Sequence, residues 1–296
     1  MTSVGVCRRV SVKGRVWNVA SKFRRAPLIP LFIISLFILT SIFPHFLTAY
    51  SPTEPSIEKR LLPPFWVKGG SLTYPLGTDP LGRDILTRII YGARVSLAVS
   101  GMTIFFAGFF GVLVGLISGY SGGWLDSVLM RMVDATISLP TILLAIILVV
   151  ILGGGLMNVV IAIAMLQWAR YARVIRGEVL SLKQKEFIAQ ARIAGCSMFR
   201  ILLVHLFPNV VNILVVLVTV EVGRIIIMEA SLSFLGAGIP PPTPAWGYMV
   251  ADGREYITTA WWVSLFPGMA IMLTVLSFNL FGDWLRDTLD PKLRQV

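Results

Sequence analysis

The sequence predicts an all-α, polytopic membrane bundle with six transmembrane helices, and three observations predict it. Of the 296 residues, 56% are apolar, and the mean hydropathy is +0.80. Soluble domains fall well below that. The basic residues flank the apolar runs instead of forming one stripe. The formal net charge of +11 therefore serves orientation in a lipid bilayer, and no nucleic-acid partner is expected. Lastly, Ala135 to Ala169 carries no charge at all. As one helix it would be about 50 Å long, against a hydrocarbon core of about 30 Å. Gly153, Gly154 and Gly155 break it into a hairpin of two spans.

Each element follows in order. Residues 1–26 are a basic tail with seven Lys and Arg, expected in the cytoplasm. Residues 27–50 are uncharged and of full membrane length, so they form the first transmembrane helix and not a signal peptide. Residues 51–94 are polar and Pro-rich, an external segment. It ends in an amphipathic helix on Ile85, Ile89 and Ile90, with Arg83, Arg88 and Arg94 on the polar side. Val95 to Tyr120 is the second span. Its Gly111-x-x-x-Gly115 spacing permits close helix packing, within the chain or between subunits. Ser121 to Asp134 reads as a loop. Past Gln167 the fourth span continues into the cytoplasm, where Arg170, Arg173 and Gly177 share a face beside lipid headgroups. Pro208 to Phe234 and Trp261 to Phe281 are the fifth and sixth spans, the latter kinked at Pro267. Residues 283–296 are a cytoplasmic tail, which leaves a transmembrane core at 95–282. Seven Lys and Arg in the first tail and seven around the loop at 183–208 lie inside, against six in 51–94. The positive-inside rule thus places both termini in the cytoplasm.

The loop at 183–208 carries charge where its flanks have none. Phe187, Ile188, Ala191 and Ala194 give a first short helix a small apolar face. Gly195 ends it, because glycine enters the left-handed cap without a Cβ clash. Ser197 caps a second helix with Phe199, Leu202, Leu203 and Leu206 on its apolar face. Pro208 then fits the first turn of a third. This pattern resembles the cytoplasmic "EAA" loop of permease subunits in ATP-binding-cassette importers. Ala191, Gly195 and Pro208 match at the family spacing. The family's Glu-Ala pair is Ala189-Gln190 here, leaving Glu186 as the nearby carboxylate. The resemblance implies a helix that docks on an ATPase subunit through Glu186, Ala191, Arg192, Gly195 and Pro208.

Two further strings resemble the "C-type" permease of dipeptide, oligopeptide and nickel importers. One is Gly77, Thr78, Asp79, Leu81, Gly82, Arg83 and Asp84, followed by Tyr91 to Arg94. Its polar residues read as turn caps with local ion pairs. The other runs from Glu229 through Ser231 to Met249. It includes Trp246, and its Gly236, Gly238 and four prolines up to Pro244 exclude regular helix there, as in an external loop or re-entrant turn. The resemblance implies a type I importer permease fold in the inner membrane of a prokaryote. It implies a second, non-identical permease, two ATPase subunits and an extracellular or periplasmic substrate-binding protein. ATP and Mg would sit on the ATPase subunits, with no cofactor on this chain. The implied cargo is di- or oligopeptides, with nickel, glycosides or opines as alternatives.

The chain's own chemistry agrees. It has no phosphate-cradling Gly-x-x-x-x-Gly-Lys-Ser/Thr sequence and no metalloprotease or nucleophile-elbow motif, so it is not expected to be an enzyme. His45 and His205 stand apart, so no metal site is expected. Cys7 and Cys196 both fall inside, where a disulfide does not persist. A stand-alone secondary transporter would show inverted repeats, and none is visible. The fifth span holds Glu221, Arg224 and Glu229. At a spacing of three, Glu221 and Arg224 share a helix face. They either pair structurally or line a translocation path, and Glu229 takes a structural or gating role.

Overall fold

The computed structural model describes residues 27–289, and every regular element among them is helical. The predicted tail at 1–26 and residues 290–296 lie outside the described residues. The helices are α1 (Leu28–Ile42), α2 (Ile85–Ser121), α3 (Gly123–Ser138), α4 (Thr141–Leu152) and α5 (Leu156–Lys183). They continue as α6 (Glu186–Ile193), α7 (Met198–Phe234), α8 (Trp246–Asp252) and α9 (Trp262–Leu289). Three of them, α2, α7 and α9, are long and apolar enough to cross a membrane, and a fourth span exists if α3 and α4 count as one broken crossing.

Several expectations change. The first apolar run, 27–50, does not form one helix. Its helix stops at Ile42 because Pro44 forces Phe43 out of the helical region, to φ −117° and ψ 46°. The amphipathic helix of the external segment is not separate. It forms the first turns of α2, whose 37 residues begin at the Asp84 cap. The stretch read as a loop, Ser121 to Asp134, is helical through α3. Its charges are compatible with a helix, because Asp126 and Asp134 pair with Arg176 and Arg173 of α5, Asp134 doing so while it stays exposed. The hairpin turn at Gly153–Gly155 stands, with φ of +88° at Gly153 and +134° at Gly155. Its first limb, however, bends by 91° where α3 meets α4. Pro140 holds Leu139 extended there. At the chain's end, the tail from Asp283 stays helical as far as Leu289.

The loop at 183–208 also differs in its second half. Met198 to Phe234 is one continuous helical run, with wide π turns over Ile201–Leu206. Phe207 N donates to Leu202 O, five residues back. A proline cannot donate to the preceding turn and its ring crowds it, so the ladder widens just before Pro208. The widening shifts the side-chain phase. Of the expected apolar face, Leu202 and Leu206 are buried, while Phe199 and Leu203 are exposed.

The core is organised by the contact between α2 and α5. Gly111 lies against the Trp168 carbonyl and Tyr171, Gly115 against Ala172 and Ile175, and Gly119 against Arg176 O and Val179. The partners advance together along both chains, so the helices run parallel. The small-residue stripe is therefore an intramolecular contact. A methyl at Gly115 would lie 2.8 Å from the Ala172 carbonyl oxygen and 2.8 Å from Ile175 Cβ. The end of α5 is tied to the end of α2 by Lys183 Nζ, which donates to Tyr120 O at 2.7 Å. Around this pair, one apolar cluster joins α2, α4, α5 and α7, and another joins α1, α2, α7, α8 and α9.

Gly115→Val should therefore cost about 1–3 kcal/mol through overpacking. It should lower the thermal midpoint of the detergent-solubilised protein in a fluorescence-detected size-exclusion assay. Gly101→Ala is the matched control, since nothing lies within 4 Å of an added methyl there.

Candidate functional site

Three polar assemblies interrupt this apolar framework. The first ties the external segment to α2, α8 and α9. Asp79 Oδ1 accepts from the backbone N–H of Leu81 at 2.8 Å and of Arg83 at 3.0 Å. Its Oδ2 lies 2.6 Å from Arg83 Nε and 3.5 Å from Arg88 Nε. Arg83 reaches Asp252 of α8 at 3.7 Å, and Arg88 donates to Pro52 O at 2.9 Å. All three of Asp79, Arg83 and Arg88 are buried. Asp84 caps α2 by accepting from Thr87 N at 2.9 Å and from Thr87 Oγ1 at 2.6 Å. Burial pushes the carboxyls of Asp84 and Asp252 above the usual range, with the charge of Asp79 adding to the effect at Asp252.

Glycines let these strands of chain approach. Gly77 and Gly82 have φ of +82° and +75°. A Cβ on either would collide with backbone carbonyls, of Leu62 and of Ser56. Trp246 donates its indole N–H to Ile89 O at 2.9 Å and brings Cδ1 and Nε1 into the space a Cβ on Gly92 would fill. Gly236, at φ +80°, ends α7 with open space around it. The residues of both external signatures thus hold one another.

The second assembly is the elbow of α6 and the start of α7. Ile188 and Ala191 are buried against the ends of α2 and α5, in a cluster with Leu116, Val179 and Leu206. Arg192 lays its guanidinium 5.1 Å from the centroid of the Tyr120 ring. Gly195 takes φ +73° with nothing near its missing side chain. Ser197 Oγ accepts from Arg200 N at 3.4 Å. Glu186, Arg192, Gly195 and Pro208 all face outward. So do Ile193, 87% exposed, and Phe199, 73% exposed. Ala194, expected on the buried face, is exposed instead.

The third assembly lies along α7. Glu221 is 1% exposed, and its Oε1 sits 3.3 Å from Arg170 Nη1 and 3.7 Å from Arg224 Nη1. The expected Glu221–Arg224 pair therefore exists, but it is a triad, and the closer arginine comes from α5. Both guanidiniums border a cleft of about 260 Å³ walled by α3, α4, α5 and α7, which Gln167 and Thr141 also line. Arg170 was expected beside lipid headgroups. In fact Arg170, Arg173 and Arg176 each take a carboxylate from another helix. Their spacing of three, just beyond an uncharged run, was the available sign that they act along one helix stripe. Glu229 is apart from this triad. It is fully buried and accepts from Ser233 Oγ at 2.8 Å.

Comparison with known proteins gives a family and close relatives. The model of the binding-protein-dependent transport system inner membrane component matches residues 111–295. The di/tripeptide transport system permease protein DppC of Pseudomonas aeruginosa is 41% identical over 266 residues, 90% of this chain and 88% of the relative. The dipeptide transport system permease protein DppC of Haemophilus influenzae is 40% identical, covering 93% of both chains. The glutathione transport system permease protein GsiD of an Escherichia coli strain is 46% identical over 76% of this chain and 75% of its own.

Removing the carboxylate at the centre of the external assembly leaves two buried guanidiniums facing each other. Asp79→Ala is expected to destabilise the protein by about 3–5 kcal/mol, the range for a broken buried ion pair. Most of the detergent-stable protein should be lost on size exclusion. Arg60→Gln, which removes only an exposed contact to Tyr256, should leave the yield unchanged.

Proposed function

The chain belongs to the family of binding-protein-dependent transport system inner membrane components, and from that premise we propose that it forms half of a translocation path for short peptides. It is a permease subunit of an ATP-binding-cassette importer and a multi-pass protein of the inner membrane. Transport systems of this kind also contain an ATPase and a substrate-binding protein. The cargo reading rests on the relatives, which serve dipeptides, tripeptides and glutathione. On this reading the other half of the path is a second, non-identical permease. Two ATPase subunits carry the ATP and Mg, and this chain binds no cofactor. A periplasmic or extracellular binding protein delivers the peptide. Adding α1 and α5 to the four apolar crossings gives six spans with both termini in the cytoplasm. At 15 residues, α1 spans about 22 Å, which a locally thinned bilayer accommodates.

The observation that carries the coupling role is the elbow. Its inner side is packed, and its outer side carries apolar Ile193 and Phe199 among charged side chains. Ile188 and Ala191 fix α6 to the ends of α2 and α5. Ile193 and Phe199 project from the same elbow. An ATPase that closes on ATP would grip this surface, with Glu186 and Arg192 at its margins and Gly195 at its turn. Because α6 is seated on the end of α2–α5, and the same chain runs on into α7, a push there moves whole helices. Pro208 and its wide turns mark where α7 can flex. Glu229, sealed against Ser233, serves the packing of the outer half of α7 rather than cargo.

A side chain at Gly195 strains the left-handed backbone by about 1 kcal/mol or more. It also obstructs whatever docks against that turn. Gly195→Val should abolish most ATP-driven peptide uptake in proteoliposomes holding the whole importer, while membrane insertion and ATP hydrolysis persist. Undiminished uptake would remove Gly195 from the coupling surface.

A further inference from the structure

The triad on α5 and α7 is unbalanced. Two guanidiniums face one carboxylate, and both arginines are partly open, at 41% and 44% of their side-chain surface. Arg170 makes one hydrogen bond to Glu221, at 3.3 Å. Arg224, at 3.7 Å, is beyond hydrogen-bonding distance. A guanidinium has five N–H donors in a planar fork, so most of their donors remain free toward the cleft. Glu221 is nearly sealed from the cleft. It offsets one positive charge from behind and leaves the other facing in.

The walls of the cleft reinforce that sign. The α3–α4 bend brings the first turn of α4 to its edge, where Thr141 lines it. That turn has no side-chain cap, so its backbone N–H groups and the positive end of the helix dipole add to the field. Gln167 supplies a further polar group, and Ile227 and Met228 supply apolar surface. Among the residues lining the cleft there is no carboxylate. Cationic charge in excess within an apolar block is costly, and an anion in the cleft offsets that cost.

We propose that Arg170 and Arg224 form a transient subsite for the C-terminal carboxylate of a peptide in transit. This rests on the peptide-permease reading above. Peptide cargoes share that carboxylate whatever their side chains, and the apolar wall tolerates a varied residue next to it. Glu221 keeps the site weak. It draws both arginines toward one oxygen and competes for their donors, so an anion binds without being trapped. A single carboxylate can bridge the two arginines, each oxygen accepting a charge-assisted N–H from one guanidinium.

The test uses the whole importer with Ile227→Cys on this chain, in a background where Cys7 and Cys196 are serine. Modification of that thiol is timed with an anionic and a cationic methanethiosulfonate reagent of equal size. The anionic reagent should react faster. Replacing Arg170 and Arg224 by glutamine should cut its relative rate at least about tenfold, the low end of the local ion enrichment in a cleft of one sign. Alanyl-alanine should slow the modification, its C-terminal amide should not, and the protection should vanish in the glutamine variants. Equal protection by acid and amide, or protection that survives both substitutions, overturns the subsite. Equal protection by inorganic phosphate makes it a general anion site and overturns the peptide assignment. Uptake of radiolabelled alanyl-alanine by the unsubstituted importer is measured alongside. No uptake there strikes the cargo reading. Uptake without an acid–amide difference strikes the subsite alone.

Discussion

The parallel contact of α2 with α5 sets the geometry on which the rest of the molecule depends. Gly111, Gly115 and Gly119 bring α2 against the backbone and β-carbons of α5. In lipid there is no hydrophobic force to join helices, so association rests on close packing and polar contacts. Small residues supply the first. With α2 fixed along one side of α5, the arginines on another side turn toward α3 and α7. Arg173 and Arg176 hold α3, and Arg170 meets Glu221 of α7. One packing contact thereby decides the place of three ion pairs.

The polar assemblies use charge in different ways. In the external assembly Asp79 is shared between Arg83 and Arg88, and backbone donors fill its other oxygen. That arrangement is saturated at its centre and locks the segment before α2 to α8. The triad on α7 is the reverse case. Its carboxylate is hidden and its two cations are partly open. The same residue types thus yield a lock in one place and a receptive surface in the other. The difference is exposure: Arg83 and Arg88 are sealed in, whereas Arg170 and Arg224 are partly open. Where α6 meets α7 the elbow follows a third pattern, with Ile193 and Phe199 left outward on a turn whose inner side is packed.

Much of this was legible in the residues themselves. The apolar runs, the glycine turn at Gly153–Gly155, the cap at Gly195 and the helix start at Ser197 are local properties. They follow from hydropathy, from the absence of a Cβ and from a side-chain oxygen near free N–H groups. The signature at Gly77–Asp84 was legible as capped turns for the same reason. Its burial was not, because burial depends on α8 and α9, which lie more than 150 residues away. The elbow was half legible. Its first helix and turn are where the sequence places them, but the phase of the second half is not. The wide turns ahead of Pro208 rotate Phe199 and Leu203 outward, and periodicity alone assumes a regular helix.

What the sequence by itself determined is a basic-flanked helical membrane protein with its breaks at glycine and proline, since those depend on composition and backbone stereochemistry. What only the tertiary structure decided is where each charge goes. Asp126 and Asp134 look like loop residues until Arg176 and Arg173 are placed beside them, and then α3 is a helix. Arg170 looks like a headgroup anchor until Glu221 lies 3.3 Å away. An ionisable side chain in an apolar setting takes the partner that its neighbours provide, and neighbours 51 residues apart become adjacent only when the helices pack.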